Sequence, residues 1–232
     1  MIIEGAKDIL EVFKSHPEYS LKFLWHRKAL DNFYFKDIEK IANLRGTVTQ
    51  LTDREFKGLR KTVHSQGMFL VLNIPQYTLA DIIKKEFIVF LNGIQDPGNL
   101  GAIIRSAALL GVEAIVTDSA CVRLNNPKVL RASKGYFCDI PIVENIEIRD
   151  LTEFELVAAD TDLDQSQSLF LENIEFQKPL CLVFGSEGQG VSVKTDKKIY
   201  IPMAKQGGSL NVAIAAGIIL FEVSKKWRLN KN

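Results

Sequence analysis

The stretch GGSLNVAIAAGIILFE, Gly207–Glu222, decides the fold. Two glycines and a polar trio, Ser209-Leu210-Asn211, open a helix that is apolar almost all the way round. That composition belongs to a helix covered on most sides. Immediately upstream, KKIYIPM reads as a buried strand, and the pattern continues backwards to Glu86. FIVFLN, EAIVT, FELVAAD and PLCLVFG are apolar strands. NLGAIIRSAALLG is a helix ending at Gly111, and NPKVLRASKG is a short helix with Pro127 near its start and Gly135 at its end. Strands alternating with helices predict an α/β domain with a largely parallel sheet and a ligand site at the strand C-ends.

The first part, to about Asn73, reads as a separate small α/β unit. Gly5–Ser15 has helical spacing, with Ile9, Leu10 and Phe13 on one face. LKFLWH, GTVTQL and GMFLVLNI read as strands, and Asp37–Leu44 as a short helix. TDREFKGLRKT opens with a Thr/Asp cap and Glu55, the signature of a helix start. Pro75 and Gln76–Lys85 read as a linker, which sets the domains at 1–78 and 79–232.

Bulk properties exclude more than they assign. The net charge is +1, so nucleic-acid binding has to come from a local patch. Arg105, Arg123, Lys128, Arg131 and Lys134 crowd one stretch, and acids from Asp150 to Asp164 fill the next. The basic stretch suits phosphate contact, but charge alone favours a solvated helix face. Cys121, Cys138 and Cys181 form no C-x-x-C pair, which fits core residues in a reducing cytoplasm. The N-terminus lacks a signal-peptide core, and the uncharged run Leu210–Phe221 is far short of the ~20 residues of a membrane span. The expected protein is soluble and cytoplasmic. His16, His26 and His64 all precede the second domain and read as surface or half-buried residues. A Ser-His-Asp triad or a His-ligated metal in the second domain is thereby excluded, and no metal is expected.

Three stretches carry the chemistry. In NGIQDPGNLGAIIRSA, Asn92–Ala107, Pro97-Gly98 turns the chain off a strand, Asn99 suits an N-cap, and Arg105 stands two turns into an apolar helix. VFGSEGQG, Val183–Gly190, is a Gly-rich turn after a strand that lacks the Lys of a P-loop and the order of a dinucleotide fingerprint. IYIPMAKQGGSLNVAIAAGIILFE is the third. Together, in this order, they resemble the motifs of SpoU-type (TrmH-like) RNA ribose 2'-O-methyltransferases of the SPOUT superfamily. The resemblance covers residues 86–225, and the first part resembles the ribosomal-protein-like substrate-binding domain that precedes this catalytic domain.

The resemblance implies a deep trefoil knot at the C-terminal end of the second domain. It also implies a homodimer packed near that knot. The cofactor it implies is S-adenosylmethionine, held by Gly185, Ile201, Leu210, Met203 and, less specifically, Thr161. Arg105 matches the catalytic arginine, and Asn99, Glu187, Ser209 and Asn211 match the other polar motif positions. The resemblance also implies that each site takes Arg105 from the partner chain. A guanidinium is a poor base, so gripping a phosphate and stabilising a developing alkoxide suit Arg105 better than taking the hydroxyl proton. Ser209 reads as a cap or as a ligand, and Asn211 as a site residue. Lys128, Arg131 and Lys134 would contact RNA. The first domain favours ribosomal over transfer RNA as substrate. Two departures stand out: Ala213, where the family often has Ser, and Lys134-Gly135-Tyr136, where it has smaller residues. A non-catalytic RNA-binding protein and a nucleotide-dependent enzyme using the GSEGQG loop are the alternatives. The intact polar positions argue against the first, and the missing phosphate Lys against the second.

Overall fold

The computed structural model of the chain describes all residues except 17–19, 61–63, 161–167, 171–175, 177–178, 187, 205–207 and 230–232. Two sheets carry it. β1 (Ile2–Glu4), β2 (Ser20–Trp25), β3 (Gly46–Gln50) and β4 (Met68–Asn73) form the first, in the order β1-β4-β2-β3. Only β2 and β3 run parallel in it. The sequence reading does not anticipate β1, whose three residues are too few to show an alternating pattern. Helix α1 (Ala6–Ser15) buries Ile9 and Phe13, as their spacing predicts. Helix α2 (Phe35–Arg45) follows, and α3 (Asp53–Leu59) opens on a reciprocal cap between Thr52 and Glu55.

The expected linker is not extended throughout. Thr78 and Asp81 cap one another around a single turn, α4 (Leu79–Ile82), and Ile82 is fully buried. A capping pair followed by one anchoring apolar side chain is enough to fold the connection onto the second sheet.

That sheet has seven strands: β5 (Phe87–Asn92), β6 (Ala114–Thr117), β7 (Ile142–Glu144), β8 (Glu155–Ala159), β9 (Ser168–Phe170), β10 (Leu180–Gly185) and β11 (Lys197–Tyr200). Their order is β7-β6-β5-β10-β8-β11-β9, and every pairing is parallel. The expected parallel sheet is therefore present, with two short edge strands, β7 and β9, that the sequence does not signal. Alternation divides the central strands between two apolar layers. Phe87, Val89 and Leu91 face the same core as helices α5 (Pro97–Leu109) and α7 (Val212–Leu229). Ile88, Phe90, Cys181 and Val183 face a smaller cluster with Ile82, Leu151 and Phe154. Burying a side chain such as Phe87, Phe90 or Phe184 is worth about 1.5–3 kcal/mol.

The short helix α6 (Pro127–Ala132) packs so closely on α5 that a Cβ on Gly101 would lie 2.4 Å from the Cβ of Ala132. The larger apolar cluster is continuous between the two sheets: Ile3, Ala6 and Val12 belong to it together with Phe137, Cys138 and Ile140.

The final helix differs from expectation. Ala216, Ile219, Leu220 and Val223 are buried, but Ile214 (55%), Ile218 (38%) and Phe221 (54%) are exposed along its other side. The sheet and α5 supply cover for one face only. His16 and His26 also depart from the surface reading, both being buried. His16 Nε2 lies 3.0 Å from Asp139, and the His26 ring stacks on Phe56 while meeting Asp53 at 2.8 Å.

Candidate active site

The site forms where β5, β6 and β10 end and two helices begin. Asp96, not Asn99, caps α5: its carboxylate accepts the N–H of Asn99 at 2.8 Å. Pro97 fills the next position, where no N–H is needed, and a carboxylate suits the positive end of the helix dipole better than an amide. Asn99 is not the cap, and its Oδ1 accepts a hydrogen bond from Asn211 Nδ2 at 2.9 Å. Asn211 Oδ1 in turn accepts the N–H groups of Ala213 (3.0 Å) and Ile214 (3.4 Å). Asn211 is thus the cap of α7, and Ser209, a candidate for that role, lies exposed two residues earlier. One amide both closes a helix end and ties it to the start of another, 112 residues away in sequence.

The Gly-rich turn stands beside this pair. The Gly190 N–H donates to Ser186 O at 2.8 Å, and the two residues form an isolated bridge. A Cβ on Gly185 would meet Gly190 O at 1.9 Å, so the chain itself requires glycine there. Gly188 and Gly190 have open space where a Cβ would stand, leaving main chain accessible to a ligand.

A network absent from the sequence reading holds the strand ends together. Asn92 Nδ2 donates to Asp118 Oδ2 at 2.7 Å, and its Oδ1 accepts from Ser192 N and Oγ at 2.9 and 2.8 Å. Asp118 Oδ1 also accepts the N–H groups of Gly93, Ala120 and Cys121. Polar residues ending FIVFLN and EAIVTD, at the C-edge of a parallel sheet, were the signal that could have revealed it. Beneath, the Cys121 thiol donates to Leu91 O, and burial pushes its pKa up to about 12.

These elements enclose a cavity of about 440 Å³, bordered by Asn92–Asp96, Asn99, Ala120, Ser186, Gly188–Gly190, Ser192 and Val212. Its size suits a small organic ligand, for which ~300–1,000 Å³ is usual. Of the expected catalytic residues Asn99 borders it, and Asn211 joins it through Asn99. Arg105 does not: it lies about 9 Å further along α5, exposed, with its guanidinium 5.9 Å from the centre of the Tyr136 ring. Thr161 and Glu187 lie outside the described residues. Ile201 and Leu210 are half-buried and Met203 is 39% exposed, and none of the three borders this cavity.

Of the expected RNA contacts, Lys128 and Arg131 are exposed on α6, whereas Lys134 points to the first unit, 3.6 Å from Asp8. The neighbouring acidic stretch is partly neutralised, with Glu155 on Lys197 (2.6 Å) and Asp160 on Lys198 (2.7 Å). Among the described residues there is no cluster of three or more metal-ligating side chains. No helix among the described residues is long and apolar enough to cross a membrane.

Comparison with known proteins identifies the family. Residues 86–221 match the SpoU rRNA methylase family, and residues 2–78 match the RNA 2'-O ribose methyltransferase substrate-binding domain. A Synechocystis sp. protein named as an uncharacterized tRNA/rRNA methyltransferase is 36% identical over 72% of this chain and 64% of its own length. The 23S rRNA (guanosine-2'-O-)-methyltransferase RlmB of Yersinia pestis is 31% identical over 97% of each chain. The SpoU methyltransferase AviRb of Streptomyces viridochromogenes, solved in complex with AdoMet, shares the fold with a TM-score of 0.82 at 22% identity, over 98% of this chain and 90% of its own. With more than half its length matched in one continuous block, the chain belongs to the SpoU rRNA methylase family.

Proposed function

We propose that this chain is an S-adenosylmethionine-dependent RNA methyltransferase that methylates a ribose 2'-hydroxyl, with ribosomal RNA as its substrate. The observation that carries the reading is the Asn211–Asn99 hydrogen bond, which brings the starts of α5 and α7 together beside the Gly185–Gly190 turn. Three stretches far apart in sequence thus meet at one sheet edge. The family match and the ribosomal-RNA activity named for the Yersinia pestis relative support the substrate.

The turn from Gly185 to Gly190, with Ile201, Met203, Leu210 and Thr161, would hold the cofactor, and the open main chain at Gly188 and Gly190 fits that task. When bound, adenosylmethionine supplies an electrophilic methyl group. The chain's own part is positioning and charge stabilisation. Arg105 grips the target phosphate and stabilises the alkoxide as it develops, while water or a phosphate oxygen takes the proton. Asn211, Ser209 and Glu187 order the loops around the target ribose.

Arg105 stands apart from the Asn99 cavity, and α7 leaves Ile214, Ile218 and Phe221 uncovered. Both observations support a homodimer in which each site receives Arg105 from the other chain. The return of the chain from β11 to the start of α5 supports a deep trefoil knot at the C-terminal end of the second domain. A division near residue 78 suits the burial of Ile82 against the second sheet. Three free, buried cysteines suit the cytoplasm.

Titration calorimetry with S-adenosylmethionine, and in parallel with ATP and NAD, tests the reading. Micromolar binding of adenosylmethionine alone supports it. Binding of a nucleotide in its place, or of RNA without adenosylmethionine, would overturn it.

A further inference from the structure

A second cavity, of about 320 Å³, lies where the first unit meets α6. Its most unusual feature is Phe33, which is 88% exposed. The ring is displayed rather than loose. Asn32 Oδ1 accepts the N–H of Tyr34 at 3.0 Å, and Asn32 O accepts that of Phe35 at 3.0 Å, so Phe33 crowns a hydrogen-bonded turn. Tyr34 supports it edge-on, with ring centres 5.2 Å apart. Lys7 from the first unit and Arg131 from α6 bring cations to the same lining, alongside the acids Glu4 and Asp8. Asp8 is buried and is engaged by Lys134 at 3.6 Å. Asn32 and Gln66 add amide groups to the walls.

We propose that this cavity binds one unpaired nucleotide of the RNA substrate, its base stacked on Phe33 and its phosphate held by Arg131 and Lys7. A rigid aromatic face, amide groups for a base edge and a nearby guanidinium form the set that recognises single-stranded RNA. A duplex does not enter a cavity of this size. The same segment that brings Arg131 here brings Tyr136 to Arg105, so a nucleotide anchored at Phe33 sets the path of the strand towards the catalytic arginine. Phe33 is a positioning residue, and the inference rests on the methyltransferase reading above.

The test compares Phe33→Ala, Phe33→Trp and Arg131→Ala with the unmodified protein, using RNA from cells lacking the enzyme. Loss of a stacked base is worth ~1–3 kcal/mol, so Phe33→Ala should raise KM for RNA roughly 5- to 150-fold. Its kcat and its affinity for adenosylmethionine should be unchanged. Phe33→Trp should keep KM near normal, and short single-stranded RNA should quench its added fluorescence above the background of the two native tryptophans. Arg131→Ala should raise KM and lower the salt dependence of binding by about one unit of slope. An unaltered KM in Phe33→Ala, with turnover still dependent on Arg105, overturns the nucleotide site and leaves the methyltransferase standing. If the unmodified protein methylates no RNA, the activity fails instead; the quenching of Phe33→Trp by RNA then still decides the cavity, and its absence overturns it.

Discussion

In the proposed mechanism Arg105 is the residue on which the chemistry turns, and its surroundings argue for orientation. A guanidinium resting over an aromatic ring is held at a defined tilt, a contact worth about 0.5–2 kcal/mol. Tyr136 is that ring. Arg105→Lys keeps the charge but loses the planar fork, and should lower kcat about 100-fold, the order seen when one oriented donor is lost, with cofactor affinity unchanged in calorimetry. Near-normal turnover would exclude the oriented-guanidinium role. Tyr136→Phe should behave as the native protein, because the ring and not the hydroxyl makes the contact. The cysteines offer an independent check at this scale. Burial pushes the Cys121 thiol up to about 12 and raises Cys181 as well, so neither is ionised near neutral pH. A thiol reagent at pH 8 should label them only as fast as the protein unfolds, and should label all three cysteines in denaturant.

At the scale of elements, two glycines fix how close parts of the chain can come. A side chain on Gly101 would drive α6 from α5 against Ala132, Val129 and Ser133. Gly101→Ala should cost about 1–3 kcal/mol, the usual penalty of overpacking, seen as a lower urea midpoint. Gly185→Ala would collide with the main chain of Gly190 and should abolish adenosylmethionine binding in a protein that remains folded by circular dichroism. The Asn99–Asn211 pair is best read by a double-mutant cycle. Asn211→Ala should cost ~0.5–2 kcal/mol through its cap, and Asn99→Ala should cost less once Asn211 is gone. Much of this level was legible beforehand. The strands of the parallel sheet announced themselves as apolar runs, and the Thr52–Glu55 cap by its spacing. What escaped was decided by contacts distant in sequence. Asn99 was expected to cap α5, but Asp96 three residues earlier takes the role and leaves Asn99 to Asn211. Asn92 and Asp118 carried no local signal beyond their places at strand ends. β1, β7 and β9 exist only because longer strands template them.

For the molecule as a whole, the sequence implied a final helix buried on most sides, and within one chain it is not. The reading and the structure agree if the second cover comes from another copy. Ile218→Glu, together with Phe221→Glu, should convert a dimer to a monomer in sedimentation and abolish turnover. A mixture of Arg105→Ala and Asn211→Ala proteins, each inactive alone, should regain up to about a quarter of native activity if random pairing combines sites from both chains. Absence of recovery would place each site within one chain. The most direct test of the central claim is methyl transfer itself. The protein should be incubated with labelled S-adenosylmethionine and RNA from a deletion strain, and the product mapped. The account predicts label on a single ribose 2'-oxygen of ribosomal RNA, abolished by Arg105→Ala. Label on a base, or no transfer to any RNA, would contradict it.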